Sequence, residues 1–414
     1  MANSNATAAI RARRVPVIIV PGTMGTRLVE PGTRTLVWNP TLDRGGFAAN
    51  VARLKDLSRP LAPDENNGFL VADGNFVPTL NIRHINNLIF NFYGNLALAM
   101  QHDLRTKLAP KSVVPVVYCC GYDFRVDCSI SATLLQKVVN EALQECNGEQ
   151  AIIIAHSMGG LITRHFCKNL GGQANVRAVF LVASPTLGAP DAYFSLRTGL
   201  EDFKFKVLLG TTQEGTRQFV RVMPSVYQLL PNLMYGQVDP NWVTFDPTET
   251  GFPATGSITP RNTQFSDASQ NFFVYRDIYT GLLDDPALRS ISTAHLNTAL
   301  TFDGGLTVSA TQTYMHPRTF LIVGTGTPTK GKANVIFDGV GSVPGSPDIF
   351  VASRVTELAP VDGDATVPLI SAAPGAKSQP TPPPPFSITG IGHQDLPNSR
   401  PAIGSIIQSI DGLF

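Results

Sequence analysis

Gln150-Ala-Ile-Ile-Ile-Ala-His-Ser-Met-Gly-Gly160, continued by Leu161-Ile-Thr-Arg-His-Phe166, is the most informative stretch of this 414-residue chain. Residues 151–154 are a short apolar run rich in Ile, the pattern of a strand covered on both faces. His156, Ser157 and Met158 then turn the chain, and Leu161, Ile162, His165 and Phe166 recur at helical spacing. A strand, a one-residue corner at Ser157 and a helix make a nucleophile elbow. Strand and helix pass close together at such a corner, so its neighbours have to be small, and Ala155, Gly159 and Gly160 are. The starting helix also points backbone N–H groups at any charge that develops near Ser157. A Ser standing by chance between small residues would give the same pentapeptide, so the strand before it and the helix after it carry the reading.

The sequence on either side repeats the same alternation. Val15-Pro-Val-Ile-Ile-Val20 is a buried strand that runs into the loop Pro21-Gly22-Thr23-Met24-Gly25-Thr26. A Gly-rich loop after such a strand suits a backbone donor to an oxyanion, with the N–H of Thr23 the first choice and that of Met24 the second. An ordinary Pro-Gly turn is the alternative. A helix is expected over 91–108, a strand over 113–118, a helix over 129–145 opening on Ser caps, and a strand over 176–183. Strands alternating with helices predict a mostly parallel sheet with right-handed crossovers. Thr319-Phe-Leu-Ile-Val-Gly324 resumes the sheet after an interruption, and residues 333–352 form a β-excursion with candidate strands at 335–338 and 348–351. Residues 374–385 are proline-rich, read as an extended spacer, and a last helix covers about 400–410.

Composition narrows the class. Lys and Arg number 32 against 31 Asp and Glu, which offers no electrostatic footprint for nucleic acid. No apolar run reaches the length of a transmembrane segment. Residues 1–14 are polar, carry a small basic cluster at Arg11, Arg13 and Arg14, and hold no apolar stretch before Val15, so no secretory signal is read there and the expected compartment is cytoplasmic. The five cysteines, all in the first half, match no zinc spacing and are expected to be reduced and structural. No metal or organic cofactor is implied.

A serine nucleophile needs a base to take its proton and a carboxylate to fix the base's tautomer. Sheets of this kind present the three in the order Ser, acid, His. Of seven histidines, His84 and His102 precede Ser157, His156 and His165 flank it, and His295 and His316 lie in or just after the interruption. His393, in a small turn before the last helix, is the one that follows the acidic loop Val361-Asp-Gly-Asp-Ala-Thr-Val-Pro368. That loop offers Asp362 and Asp364, of which Asp362 suits a turn with Gly363.

Taken together, these segments resemble the lecithin:cholesterol acyltransferase family of α/β-hydrolases, which includes lysosomal phospholipase A2. The resemblance is carried in order by Val20-Pro-Gly-Thr-Met-Gly-Thr-Arg-Leu28, Tyr122-Asp-Phe-Arg125, Ala155-His-Ser-Met-Gly-Gly160, Pro224-Ser-Val-Tyr-Gln-Leu-Leu-Pro231 and Gly363-Asp-Ala-Thr-Val-Pro368. It implies an α/β-hydrolase fold, with Ser157, Asp364 and His393 as catalytic triad and the N–H groups of Thr23 and Met158 as oxyanion hole. The expected organisation is a core of residues 15–190 plus 318–414, a cap over 191–317, and an irregular insertion over 29–91 near the active site. The expected activity is cleavage or transfer of the acyl group of a hydrophobic, lipid-like ester through an acyl-serine. Contact with a membrane surface is left open, as is the choice between water and an alcohol as acceptor. A non-catalytic hydrolase-fold protein holding a hydrophobic ligand is the alternative from another class, and an amidase or thioesterase the alternative among enzymes.

Overall fold

The computed structural model describes residues 12–38, 71–72, 90–200, 212–245, 289–342 and 349–414. Among the described residues six strands make the central sheet: β1 (Arg13–Val20), β2 (Val113–Cys119), β3 (Ala151–His156), β4 (Val176–Val182), β5 (Thr319–Thr325) and β6 (Phe386–Thr389). They lie in the order β6-β5-β4-β3-β1-β2, every pair parallel. This is an α/β-hydrolase fold.

Period-two alternation along the strands feeds two cores. Ile18, Val20, Ile153, Ala155, Val179 and Leu181 face one side, where helices α2 (Cys128–Cys146) and α3 (Met158–Asn169) cover them with Leu135, Val139, Ile162 and Phe166. Val17, Ile19, Ile152, Ile154 and Phe180 face the other side. There they meet Leu96, Met100 and Leu104 of α1 (Phe90–Leu108) and Ile403, Ile406 and Ile410 of α7 (Arg400–Asp411). Both faces being covered explains why the strands read as unbroken apolar runs.

Register places the site. Val20 pairs with Ala155 and His156 with Val182, so β1, β3 and β4 end level with one another. The loops that leave them emerge on one edge, at the carboxyl ends of the strands, where parallel sheets of this kind gather their ligand sites.

Several details differ from the sequence reading. The cap of α2 is Asp127, whose carboxylate accepts from the N–H of Ser129 at 2.7 Å, so the expected Ser caps sit inside the helix. β6 was not anticipated, and only Ile388 of it is buried, which leaves too little apolar pattern to read. The proline-rich segment is more than a spacer, because Ser378–Gln379 pairs in parallel with Gln312–Tyr314. The β-excursion is a long antiparallel hairpin, Ala333–Ser342 with Ile349–Glu357.

The interrupting region contributes α4 (Pro190–Thr198), α5 (Gln213–Arg221) and α6 (Arg289–Leu306), with a short strand, Val243–Phe245, beside Ala333 to Val335 of the hairpin. Within the expected cap, Phe203, Phe205, Phe272, Phe273, Tyr275 and Tyr279 lie outside the described residues, as does most of 29–91. All five cysteines are free and buried. Among the described residues no helix is long and apolar enough to cross a membrane.

Candidate active site

Ser157 occupies φ 52°, ψ −125°, a region that side-chain-bearing residues avoid and that surrounding structure has to enforce. The enforcement is visible. Its N–H donates to the carbonyl of Val182 at 2.9 Å, carrying the β3–β4 ladder up to the corner. A Cβ on Gly159 would stand 2.5 Å from the Pro21 carbonyl oxygen, and one on Gly160 only 2.1 Å from Ser184 Oγ. Both glycines are therefore required for the close passage of α3 over β1 and the loop after β4.

Two separate loops bring the partners to the corner. His393 Nε2 lies 2.8 Å from Ser157 Oγ, and His393 Nδ1 lies 2.9 Å from Asp364 Oδ2. An ionised carboxylate only accepts, so the imidazole proton sits on Nδ1 and leaves Nε2 free to accept from the serine hydroxyl. The other carboxylate oxygen accepts from the N–H groups of Val367 at 2.7 Å and Thr366 at 3.0 Å. Burial alone would push the Asp364 carboxyl up. The facing His393 and the two N–H groups outweigh it and hold the group below its ordinary value. The loops are also joined through their backbones, His393 N–H donating to the Asp364 carbonyl at 2.8 Å. Asp362 is exposed and accepts from the Gly326 N–H at 2.6 Å, so of the two neighbours it is Asp364 that meets the histidine.

The loop after β1 closes the site from the other side. Gly25 N–H donates to the Gly22 carbonyl at 3.1 Å, forming a turn in which Met24 takes φ 60°. That position favours glycine, and the Met24 carbonyl is held by the Trp38 indole N–H at 3.1 Å. Tyr122, from the Tyr-Asp-Phe-Arg segment, donates its hydroxyl to the Pro21 carbonyl at 2.7 Å. Its segment is itself rigid, because buried Arg125 forks onto Asp123 at 2.9 and 2.7 Å. Thr23 Oγ1 donates to Met158 Sδ at 3.5 Å, which sets the tip of the loop against the first residue of α3. Among the described residues no protein acceptor takes the N–H of Thr23 or of Met24.

Tyr93 and Trp38 were given no role from sequence, and Tyr122 was quoted within the Tyr-Asp-Phe-Arg segment without a role for its hydroxyl. His156 was passed over as a flanking residue, yet its Nδ1 is 2.8 Å from Tyr93 Oη and its Nε2 is 3.1 Å from the His393 carbonyl. Among the described residues no cluster of three or more His, Cys, Asp or Glu side chains could hold a metal ion.

Against known proteins, a family model described as lecithin:cholesterol acyltransferase matches residues 115–332, just over half of the chain. No curated protein sequence matches. Among solved structures, the one titled the Tle4–Tli4 complex aligns with a TM-score of 0.60 at 16% identity, covering 97% of this chain and 98% of that one. This likeness is one of fold. The phospholipase PlaB from Legionella pneumophila aligns with a TM-score of 0.31 at 13% identity, over 97% of this chain and 63% of the other. An α/β-hydrolase-fold protein from Nakamurella multipartita gives 0.28 at 13% identity, over 97% and 92%.

Proposed function

The chain belongs to the lecithin:cholesterol acyltransferase family, and with that as premise we propose that it is a serine hydrolase or acyltransferase acting on hydrophobic carboxylic esters. The observation that carries the proposal is the hydrogen-bonded run from Ser157 Oγ through His393 to Asp364 at the carboxyl edge of the sheet.

In the proposed reaction His393 Nε2 takes the Ser157 proton as Oγ adds to the ester carbonyl carbon. Asp364 keeps Nδ1 protonated and stabilises the imidazolium. The carbonyl oxygen becomes an oxyanion, held by the N–H of Met158 at the start of α3 and by that of Thr23, or of Met24 one residue on. One such donor contributes on the order of 10²–10³ in kcat. Collapse expels the alcohol, which leaves with the proton from His393, and an acyl ester on Ser157 remains. Water or a second alcohol then repeats the sequence in reverse and releases an acid or a new ester.

A lipid-like substrate follows from the family and from the aromatic content of residues 191–317. Part of that content is spent internally: Trp242 meets Tyr193 and Tyr235 edge-to-face, at ring separations of 5.8 and 6.0 Å. The test is kcat/KM across p-nitrophenyl esters from acetyl to dodecanoyl. A pocket that buries the acyl chain contributes at most about 0.8 kcal/mol per methylene, so the expected result is a rise of up to several-fold per carbon until the pocket is full. A steady fall from acetyl onward would reject the long-acyl substrate and leave a short-chain esterase.

A further inference from the structure

Tyr93 stands in the first turns of α1, buried, with its hydroxyl between two parts of the site. On one side it accepts from the N–H of Gly22 at 2.8 Å, in the loop expected to supply an oxyanion donor. On the other it meets His156 Nδ1 at 2.8 Å, and His156 Nε2 meets the carbonyl oxygen of His393 at 3.1 Å. Chemistry assigns every proton along this run. The Gly22 N–H can only donate, and a backbone carbonyl can only accept. Tyr93 therefore gives its one proton to His156 Nδ1, and His156 gives its own, on Nε2, to the His393 carbonyl.

The surroundings are shaped to this run. A Cβ on Gly25 would stand 2.8 Å from the Tyr93 hydroxyl, and one on Gly22 would stand 3.0 Å from His156 Nδ1. Both loop glycines thus leave room for these two side chains. The rings of His156 and His393 lie 4.8 Å apart. Burial, reinforced by neighbouring His393, pushes the His156 imidazole down to about 3, so it stays neutral and its proton order holds through any ordinary working range. His156 thus touches neither Ser157 Oγ nor the carboxylate, but both halves of the machinery hang on it.

We propose that Tyr93 and His156 are positioning residues, a buried relay that fixes the loop after β1 and the loop carrying His393 relative to each other. Bond by bond, Gly22 is set by Tyr93, Tyr93 by His156, and His156 by the backbone of the base itself. The relay rests on the proposed acyl-transfer chemistry and adds to it a reason why oxyanion donor and base keep one geometry.

The test uses the full chain, its best p-nitrophenyl ester, and a trifluoromethyl ketone bearing the same alkyl chain as a mimic of the tetrahedral oxyanion. Tyr93→Phe keeps the ring and removes the hydroxyl. We expect kcat to fall roughly 10- to 100-fold with KM within about twofold, since a small misplacement of a donor acts on the transition state. The inhibition constant of the ketone rises by the same factor. His156→Gln keeps a donor toward the His393 carbonyl but offers Tyr93 a poorer partner, and it lowers kcat with the same split. Tyr93→Phe combined with His156→Gln is no worse than the poorer single variant, because both cut one run. Wild-type kcat in both single variants, a ketone affinity that does not follow kcat/KM, or losses that multiply in the double variant would each overturn the relay. If Tyr93→Phe does not fold, His156→Gln and the ketone decide alone. A wild-type chain that turns over no ester overturns instead the chemistry on which the relay rests, and its catalytic role falls with it.

Discussion

The elbow and the acid–base side of the site are held in place by different physics. The elbow is one continuous segment, and its geometry is a strained backbone at Ser157 forced by close packing at Gly159 and Gly160. The acid–base side comes from two loops 29 residues apart, with the Asp364 and His393 main chains bonded to each other and little strain anywhere in the pair. Ala365, at φ 79°, is the exception there, and it sits in the turn that lets two N–H groups reach Asp364. At the elbow the geometry fails when volume is added, whereas on the acid–base side the function of the pair fails when a donor or acceptor is changed.

That contrast predicts opposite failures. Asp364→Asn should lower kcat by about 10⁴-fold while the melting temperature changes little, because the wrong His393 tautomer is stabilised. Asp362→Asn, facing solvent, should leave kcat within a fewfold. Gly160→Ala should do the reverse of Asp364→Asn, losing folded protein first, since its methyl has to displace Ser184. Kinetics together with thermal unfolding on the three variants checks this. Equal losses of activity and stability in Asp364→Asn and Gly160→Ala would remove the distinction.

A smaller effect separates the two sides by pH. His156 has a folded value lowered to about 3 against an ordinary 6.5. A lowered histidine binds its proton in the unfolded chain first, so the contribution is complete above about 6.5 and is lost as pH falls toward 3. The slope is about 1.4 kcal/mol per pH unit for one histidine. Buried His295, lowered to about 4, acts in the same direction over the upper part of that window. Asp364, held below its ordinary value, is lost only at the acid end. Urea unfolding between pH 6 and pH 4 should therefore show a slope smaller by about 1.4 kcal/mol per unit in His156→Gln than in the wild type. An unchanged slope would mean that His156 gains its proton in the fold.

The same contrast explains what was legible in the sequence. The elbow could be read because strand, corner and helix are contiguous and because close approach restricts the residues allowed. The strands buried on both faces could be read for the same local reason. His393 was reachable through chain order, and Asp364 was separated from Asp362 mainly by resemblance, since both sit in one turn-rich loop. Tyr93 lies 63 residues from His156, and the Gly22 N–H is 71 residues from Tyr93, so the run between them exists only after the sheet and α1 have met. β6 escaped for a different reason: a short edge strand with one buried residue has almost no periodicity to detect.

The central claim is that Ser157 is an activated nucleophile, and covalent labelling tests it most directly. Incubation with a fluorophosphonate, followed by proteolysis and mass spectrometry, should place one adduct on the peptide containing Ser157. Ser157→Ala should take up no label and lose on the order of 10⁴-fold or more in kcat. An adduct on another serine, or an Ala variant that keeps its activity, would contradict the account.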